Sequence, residues 1–206
     1  IGIGDTIENN THYLLLNNWQ GLWIDINSKY IDKLKRNIKK KQDKLHFICK
    51  RITPENINET INSSKKFLGI DEIDFLSIDI DSYDLKCLDK INVFNPRLIC
   101  VEYNSKVSPS VKLNIKEISN FKWEYDDYFG SSLLSINIVM EKKGYKLVAT
   151  NITGSNAFFV KNELTHLTKT KTQSLEELYS PPNFELFNYN VTHAPSNKYL
   201  IDKLNE

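Results

Sequence analysis

Short apolar runs alternate along this chain with segments whose apolar residues recur every three or four positions. The first pattern is typical of buried strands and the second of amphipathic helices. The predicted strands are Ile1–Ile3, Gly21–Ile26, Leu45–Cys49, Ile73–Ile80, Arg97–Tyr103, Tyr145–Ala149 and Ala157–Val160. The helical repeats between them include Ile31, Leu34 and Ile38, then Leu85, Leu88 and Ile91, then Leu133, Ile136 and Met140.

The order of these elements predicts the fold class. Strands that alternate with helices are joined by crossovers, and crossovers produce a parallel sheet. The last two strands differ, because the link Asn151–Asn156 is too short to hold a crossover helix and therefore predicts an antiparallel hairpin. We expect an α/β protein with a doubly wound, mostly parallel seven-stranded sheet, in which Ile1–Ile3 is a truncated first strand.

Composition and charge exclude several classes of protein. The 206 residues carry a net charge of +1, which gives no general attraction to nucleic acid or to a membrane surface. No apolar run reaches the roughly 20 residues of a membrane span, and no secretion signal is visible. Cys49, Cys87 and Cys100 lie far apart in apolar stretches, which favours buried, reduced thiols and predicts a cytoplasmic protein. Because the chain opens on Ile1 within a predicted strand, we expect N-terminal residues to be missing.

The turn after the first strand is the first candidate ligand contact. Gly2 and Gly4 let the backbone bend sharply and approach a ligand closely. A dinucleotide fingerprint would need a third glycine where Ile7 stands, which argues against a pyrophosphate at this turn. Asp25 ends the next strand, where a carboxylate can accept both hydroxyls of a ribose. The alternative for Asp25 is a surface aspartate that precedes a helix cap.

The fourth strand ends in the densest polar group of the chain, residues 79–84. Ligands of open α/β sheets bind at the carboxyl ends of the strands. We interpret Asp79 as a contact for the ammonium group of a cofactor and Asp81 as a substrate contact. Asp84 is interpreted as a residue that favours the dipole of the following helix. Ile52, after the third strand, can cover one face of an adenine.

The fifth strand ends in Glu102, and Asn104 follows it closely. A glutamate that follows a buried apolar run needs a partner. Together with Asp81 it could act as general base on a hydroxyl, or the carboxylate oxygens could bind Mg²⁺. The alternative is that backbone donors, Arg97 or Lys106 satisfy Glu102.

Several of these segments resemble FkbM-type methyltransferases. The segment Ile78–Asp84 resembles their fourth-strand motif IDxEGxE, with Asp81 in place of the glutamate and Ser82 in place of the glycine. Glu102–Asn104 is similar to the EYN segment of bacterial relatives of that group. Three later segments look like the closing helix and hairpin of the family: Gly130–Leu133, Lys143–Val148 and Asn156–Val160.

The resemblance implies a class I S-adenosylmethionine-dependent methyltransferase domain with a Rossmann-like sheet over residues 1–163. Residues 164–206 would be a C-terminal tail that packs on the domain or on a partner, with the aromatic residues Phe184, Phe187 and Tyr189. The acceptor would be a hydroxyl of a sugar, a glycan or a small metabolite. Neither a nucleic-acid partner nor a membrane span is expected, and a homo-oligomer is compatible with the sequence.

The resemblance also distributes roles among the candidate residues. The catalytic residues would be Asp81, Glu102 and Asn104. The contacts to S-adenosylmethionine would be Gly2, Gly4, Asp5, Asp25, Ile26, Ile52 and Asp79. Two alternatives stay open, namely a non-catalytic binding module of the same fold and a Mg²⁺-dependent sugar O-methyltransferase.

Overall fold

The structure, a computed structural model, describes residues 1–5, 9–40, 43–116, 121–168, 173–183 and 198–206. The strands are β1 Gly21–Asp25, β2 Leu45–Cys49, β3 Phe75–Ile78, β4 Leu98–Glu102, β5 Tyr145–Thr150 and β6 Asn156–Lys161. The α-helices are α1 His12–Leu16, α2 Ser28–Asn37, α3 Ile57–Leu68, α4 Asp84–Lys90, α5 Leu133–Lys142, α6 Leu175–Leu178 and α7 Lys198–Asn205. A 3₁₀ helix covers Asn162–Leu167. The predictions that involve Ile7, Phe184, Phe187 and Tyr189 fall outside the described residues.

The chain divides into two compact units. The first comprises Ile1–Asp71 and Tyr189–Glu206, and the second comprises Glu72–Asn188. The stretch 164–206, predicted as one tail, is shared between them, because helix α6 belongs to the second unit and helix α7 to the first.

The first unit is built on a pair of parallel strands. Strands β1 and β2 run in register, with Gly21 opposite Leu45 and Asp25 opposite Cys49. Helix α2 begins where the side chain of Asn27 accepts a hydrogen bond from the backbone N–H of Lys29, an N-cap that satisfies one of the free donors of the first turn. The apolar face of α2 packs into a core with the strands and with α7. The buried members of this core are Ile3, Leu15, Trp23, Ile31, Leu34, Ile38, Leu45 and Leu204.

The second unit is built on a four-stranded sheet in the order β3-β4-β6-β5. Strands β3 and β4 are parallel, whereas β6 pairs antiparallel with both β4 and β5. The side chain of Asn151 closes the turn between β5 and β6 by accepting hydrogen bonds of 2.8 Å from the backbone N–H groups of Ser155 and Asn156. The short link between these strands therefore forms the antiparallel hairpin that its length predicts.

The predicted seven-stranded, mostly parallel, doubly wound sheet is wrong. Among the described residues the strands form one sheet of two strands and one mixed sheet of four. Ile1–Ile3 forms no strand, although the N–H of Gly2 donates a 2.8 Å hydrogen bond to the carbonyl oxygen of Ile24 in β1. A strand ladder needs repeated hydrogen bonding along both strands. Ile1–Ile3 is too short for such a ladder, because Gly2 and Ile3 already lead into the bend at Gly4.

The structure also bears on two further expectations, the burial of the cysteines and the lack of a membrane-spanning segment. Cys49, Cys87 and Cys100 form no disulfide bond among the described residues, and Cys87 and Cys100 are buried. Cys49, the last residue of β2, is exposed, contrary to expectation. In the part of the chain that the structure describes, every helix is too short or too polar to span a membrane.

Candidate functional site

A group of three carboxylates lies at one edge of the four-stranded sheet. Strands β3 and β4 are parallel, and their register pairs Ile78 with Val101. The next residues, Asp79 just after β3 and Glu102 at the end of β4, therefore lie side by side. Asp81 follows β3 by three residues. Parallel strands present their carboxyl ends at the same edge, so the sequence places these acids together once β3 and β4 pair.

The carboxylates of Asp79, Asp81 and Glu102 are close enough to act on one ligand. Each residue has one carboxylate oxygen placed so that these three oxygens all lie within 4.8 Å of one another. All three residues are partly buried. We call these three residues the carboxylate cluster.

The backbone bend after β3 brings Asp81 into the cluster. Asp81 has φ = +53°, a left-handed conformation that is uncommon outside glycine and that aspartate tolerates better than most residues. Asp84 supports the bend, because its carboxylate accepts hydrogen bonds from the backbone N–H groups of Ile80 at 2.8 Å and Ser82 at 3.1 Å. Asp84 is 1% exposed, so it is a structural residue and does not point toward solvent.

Glu102 is the least satisfied member of the cluster. Its carboxylate accepts a hydrogen bond from the backbone N–H of Asp81, but its Oε2 atom is buried and has no hydrogen-bond partner among the described residues. Burial raises the pKa of Glu102 well above its usual value, and the neighbouring carboxylates raise it further. These neighbours are Asp79, Asp84 and Asp81.

Asp84 shares this electrostatic environment. Burial raises the pKa of Asp84 to about 6, and the negative charge of Asp81 adds to the shift. The hydrogen bonds from the bend act in the opposite direction, since they stabilise the ionised carboxylate. Sequence reasoning assigned Asp84 to the helix dipole and missed its role in the bend. The sequence indicates that role by spacing: Asp84 lies two residues after Ser82 and four residues after Ile80, so its side chain can reach both backbone N–H groups.

The chemistry open to such a cluster is of two kinds. A buried carboxylate with a raised pKa and an unpaired oxygen can accept a proton from a hydroxyl. Closely spaced carboxylate oxygens can also bind a hard divalent cation such as Mg²⁺. Oε2 of Glu102 has no hydrogen-bond partner among the described residues. A hydroxyl that donates its proton to this oxygen, or a cation that binds it, would supply the missing partner.

Asn104, predicted to orient an acceptor, is held by backbone groups of its own unit. Its side-chain N–H₂ donates to the carbonyl oxygens of Asp127 at 2.8 Å and Phe129 at 3.1 Å. Its Oδ1 accepts a hydrogen bond of 3.1 Å from the backbone N–H of Lys106. Asn104 is 1% exposed, and these bonds fasten the segment around residues 127–129 to the end of β4.

The predicted cofactor residues Gly2, Gly4 and Asp25 come together in the first unit. Gly2 and Gly4 have φ values of +73° and +55°, which glycine adopts without the steric cost of a Cβ. The N–H of Gly4 donates a 2.8 Å hydrogen bond to Oδ2 of Asp25, and the N–H of Asn27 donates a 2.7 Å bond to Oδ1. Asp25 is 7% exposed, so the alternative of a plain surface aspartate does not describe it.

Space is available beside this glycine bend. No atom of the described residues lies within 4 Å of the place that a Cβ on Gly4 would take. The other predicted cofactor residues differ in exposure: Ile52 is buried, Ile26 is 61% exposed and Asp5 is partly buried. Asp79 belongs to the carboxylate cluster of the second unit.

Comparison of the chain with models of protein families, with curated proteins and with solved structures gave no match. Function is therefore inferred from the chemistry of the two groups described above. The first unit offers a glycine bend bound to a buried aspartate. The second offers three neighbouring carboxylates, one of which has an unpaired buried oxygen.

Proposed function

We propose that this chain transfers a methyl group from S-adenosylmethionine to a hydroxyl of a sugar, a glycan or a small metabolite. The observation that supports the proposal is Oε2 of Glu102, a buried carboxylate oxygen without a hydrogen-bond partner among the described residues. A hydroxyl is a donor that can fill this bond, and its oxygen becomes nucleophilic when the carboxylate takes its proton.

In the proposed reaction the hydroxyl oxygen attacks the methyl carbon of the sulfonium. The new C–O bond forms as the C–S bond breaks, the bonding pair stays on sulfur, and S-adenosylhomocysteine is the product. The proton of the hydroxyl passes to the carboxylate of Asp81 or Glu102. Since the displacement is in line, the protein contributes mainly by positioning the two reactants and by removing this proton.

The glycine bend of the first unit would contact the cofactor. Asp25 accepts one backbone hydrogen bond on each carboxylate oxygen, and each oxygen has a further lone pair for a ribose hydroxyl. The left-handed bend leaves room at Gly4 for close approach of a ligand to the backbone. Support for this part of the proposal is the bond between Gly4 and Asp25, which joins two of the residues assigned to the cofactor.

Two measurements test the proposal in sequence. Isothermal titration calorimetry with S-adenosylhomocysteine should show binding, and Asp25→Asn should weaken it by about 1–3 kcal/mol, the usual loss for a charged hydrogen bond. Asp32→Asn is the matched control, because Asp32 is an exposed aspartate on α2 of the same unit. An affinity that Asp25→Asn leaves unchanged would remove Asp25 from the cofactor site.

A methyl-release assay on a panel of hydroxyl acceptors then tests the catalytic part. Glu102→Gln should bind S-adenosylhomocysteine normally and lower turnover by about 100-fold, at the lower end of what a general base contributes. The exposed Asp89 on α4 supplies the control Asp89→Asn. Binding without turnover on every acceptor would instead favour the non-catalytic binding module.

A further inference from the structure

We infer that the carboxylate cluster, Asp79, Asp81 and Glu102, is a binding site for one divalent cation of the Mg²⁺ and Mn²⁺ class. The inference goes beyond methyl transfer, because cation binding by these side chains needs neither the cofactor nor the acceptor.

The separation of the three carboxylates fits one ion. Two oxygens on the same cation lie at most about twice the metal–oxygen distance apart, roughly 4–5 Å for distances of 2.0–2.6 Å. The nearest oxygens of the cluster all lie within 4.8 Å of one another. Side-chain rotations that bring these oxygens closer together would let all three reach a single cation.

A second observation points to a ligand at the same place. Oε2 of Glu102 is buried and has no hydrogen-bond partner among the described residues, although a buried carboxylate oxygen normally has one. The other two members of the cluster, Asp79 and Asp81, are also carboxylates and lie close to it, and like charges at this distance repel one another. A cation bound to Oε2 would satisfy this atom and offset the repulsion among the carboxylates.

The donor set indicates which cations fit. Carboxylate oxygens are hard ligands that suit Mg²⁺, Mn²⁺ and Ca²⁺, whereas Zn²⁺ sites are usually built with histidine or cysteine. The cluster contains three oxygen donors and is partly exposed. Three protein ligands leave coordination positions for water or for a ligand oxygen, as is usual for Mg²⁺.

The test uses the full chain and Mn²⁺, whose electron paramagnetic resonance signal falls when the ion binds protein. We expect one Mn²⁺ per chain, displaced by Mg²⁺, in the absence of any methyl donor or acceptor. Glu102→Gln and Asp81→Asn should each weaken Mn²⁺ binding by roughly tenfold or more. Asp89→Asn, which removes an exposed carboxylate outside the cluster, should leave it unchanged.

Circular dichroism shows whether each variant is folded. Because two cluster variants are measured, the test still gives an answer if one of them fails to fold. The inference is overturned if the folded wild-type chain binds no Mn²⁺ at millimolar concentration. It is overturned equally if both cluster variants bind as the wild type does, or if Asp89→Asn weakens binding as much as they do. Mn²⁺ binding by a chain that transfers no methyl group would defeat the proposed function and leave this inference standing.

Discussion

Asp25 in the first unit and Glu102 in the second are each the last residue of a strand in a parallel pair, yet their carboxylates have opposite surroundings. Both oxygens of Asp25 accept backbone hydrogen bonds, from Gly4 and from Asn27. Glu102 has an unpaired oxygen, and other carboxylates surround it. A carboxylate whose two oxygens both accept backbone hydrogen bonds stabilises the fold, whereas a buried carboxylate oxygen without a donor costs stability and can be satisfied by a ligand.

The largest expected effect is the loss of Asp25. Asp25→Ala leaves two backbone N–H groups without their acceptor, and each loss costs about 1–3 kcal/mol. We expect the free energy of unfolding to fall by about 3 kcal/mol, measured by urea denaturation with tryptophan fluorescence. Asp32→Ala on the exposed face of α2 is the control. Equal stabilities of these two variants would mean that the bonds of Asp25 do not stabilise the fold.

Glu102 should respond in the opposite direction. In the presence of a chelator, Glu102→Gln removes an acid that burial and three neighbouring carboxylates disfavour. We expect the free energy of unfolding to rise by about 1 kcal/mol, since the amide keeps the shape without the charge. Urea denaturation in the same buffer measures it, with Asp89→Asn as control. A clear loss of stability would show that Glu102 has a stabilising partner and would remove the contrast with Asp25.

An effect of similar size to that of Glu102→Gln is expected at the glycine bend of the first unit. Gly4→Ala forces an alanine into φ = +55°, which costs about 1 kcal/mol or slightly more. The described residues leave open space where the new methyl group would lie. The loss of stability should therefore come from backbone strain and not from a steric clash. If a ligand approaches this backbone closely, affinity for S-adenosylhomocysteine should fall as well. If calorimetry shows that Gly4→Ala binds S-adenosylhomocysteine with unchanged affinity, the bend is not part of the cofactor site.

The smallest expected effect concerns His12, a second buried group with an unpaired atom. Its Nε2 has no hydrogen-bond partner among the described residues, and its ring lies 5.4 Å from that of Trp23. Burial lowers the pKa of His12 to about 4. Between about pH 6.5 and 4 the unfolded chain therefore binds a proton that the folded chain does not, so stability falls as the pH is lowered through this range.

His12→Gln should make that pH dependence weaker. Because the side chain is only partly buried, we expect the wild type to lose about 1 kcal/mol more than the variant between pH 7.5 and pH 4.5. Urea denaturation at the two pH values measures the difference. Parallel pH curves for the two proteins would show that His12 stays accessible to protons in the folded state.

Much of the local structure could be predicted from the sequence. Leu45–Cys49 forms a strand with the predicted bounds, and Leu133, Ile136 and Met140, predicted as one helical repeat, all lie buried in α5. The hairpin of β5 and β6 follows from a link that is too short for a helix. The meeting of Asp79 with Glu102 also follows from two parallel strands that end at one edge. Each of these features depends on neighbours in the chain or on a single pairing.

The pattern of apolar and polar residues determined where helices and strands form and which acids lie at strand ends, because side-chain periodicity is a local property. Only the tertiary structure decided how the strands divide into two sheets and that Ile1–Ile3 makes no ladder. It alone decided that Asp25 has backbone donors while Glu102 has an unpaired oxygen. Pairing and burial depend on contacts between residues far apart in the chain, and periodicity does not encode them.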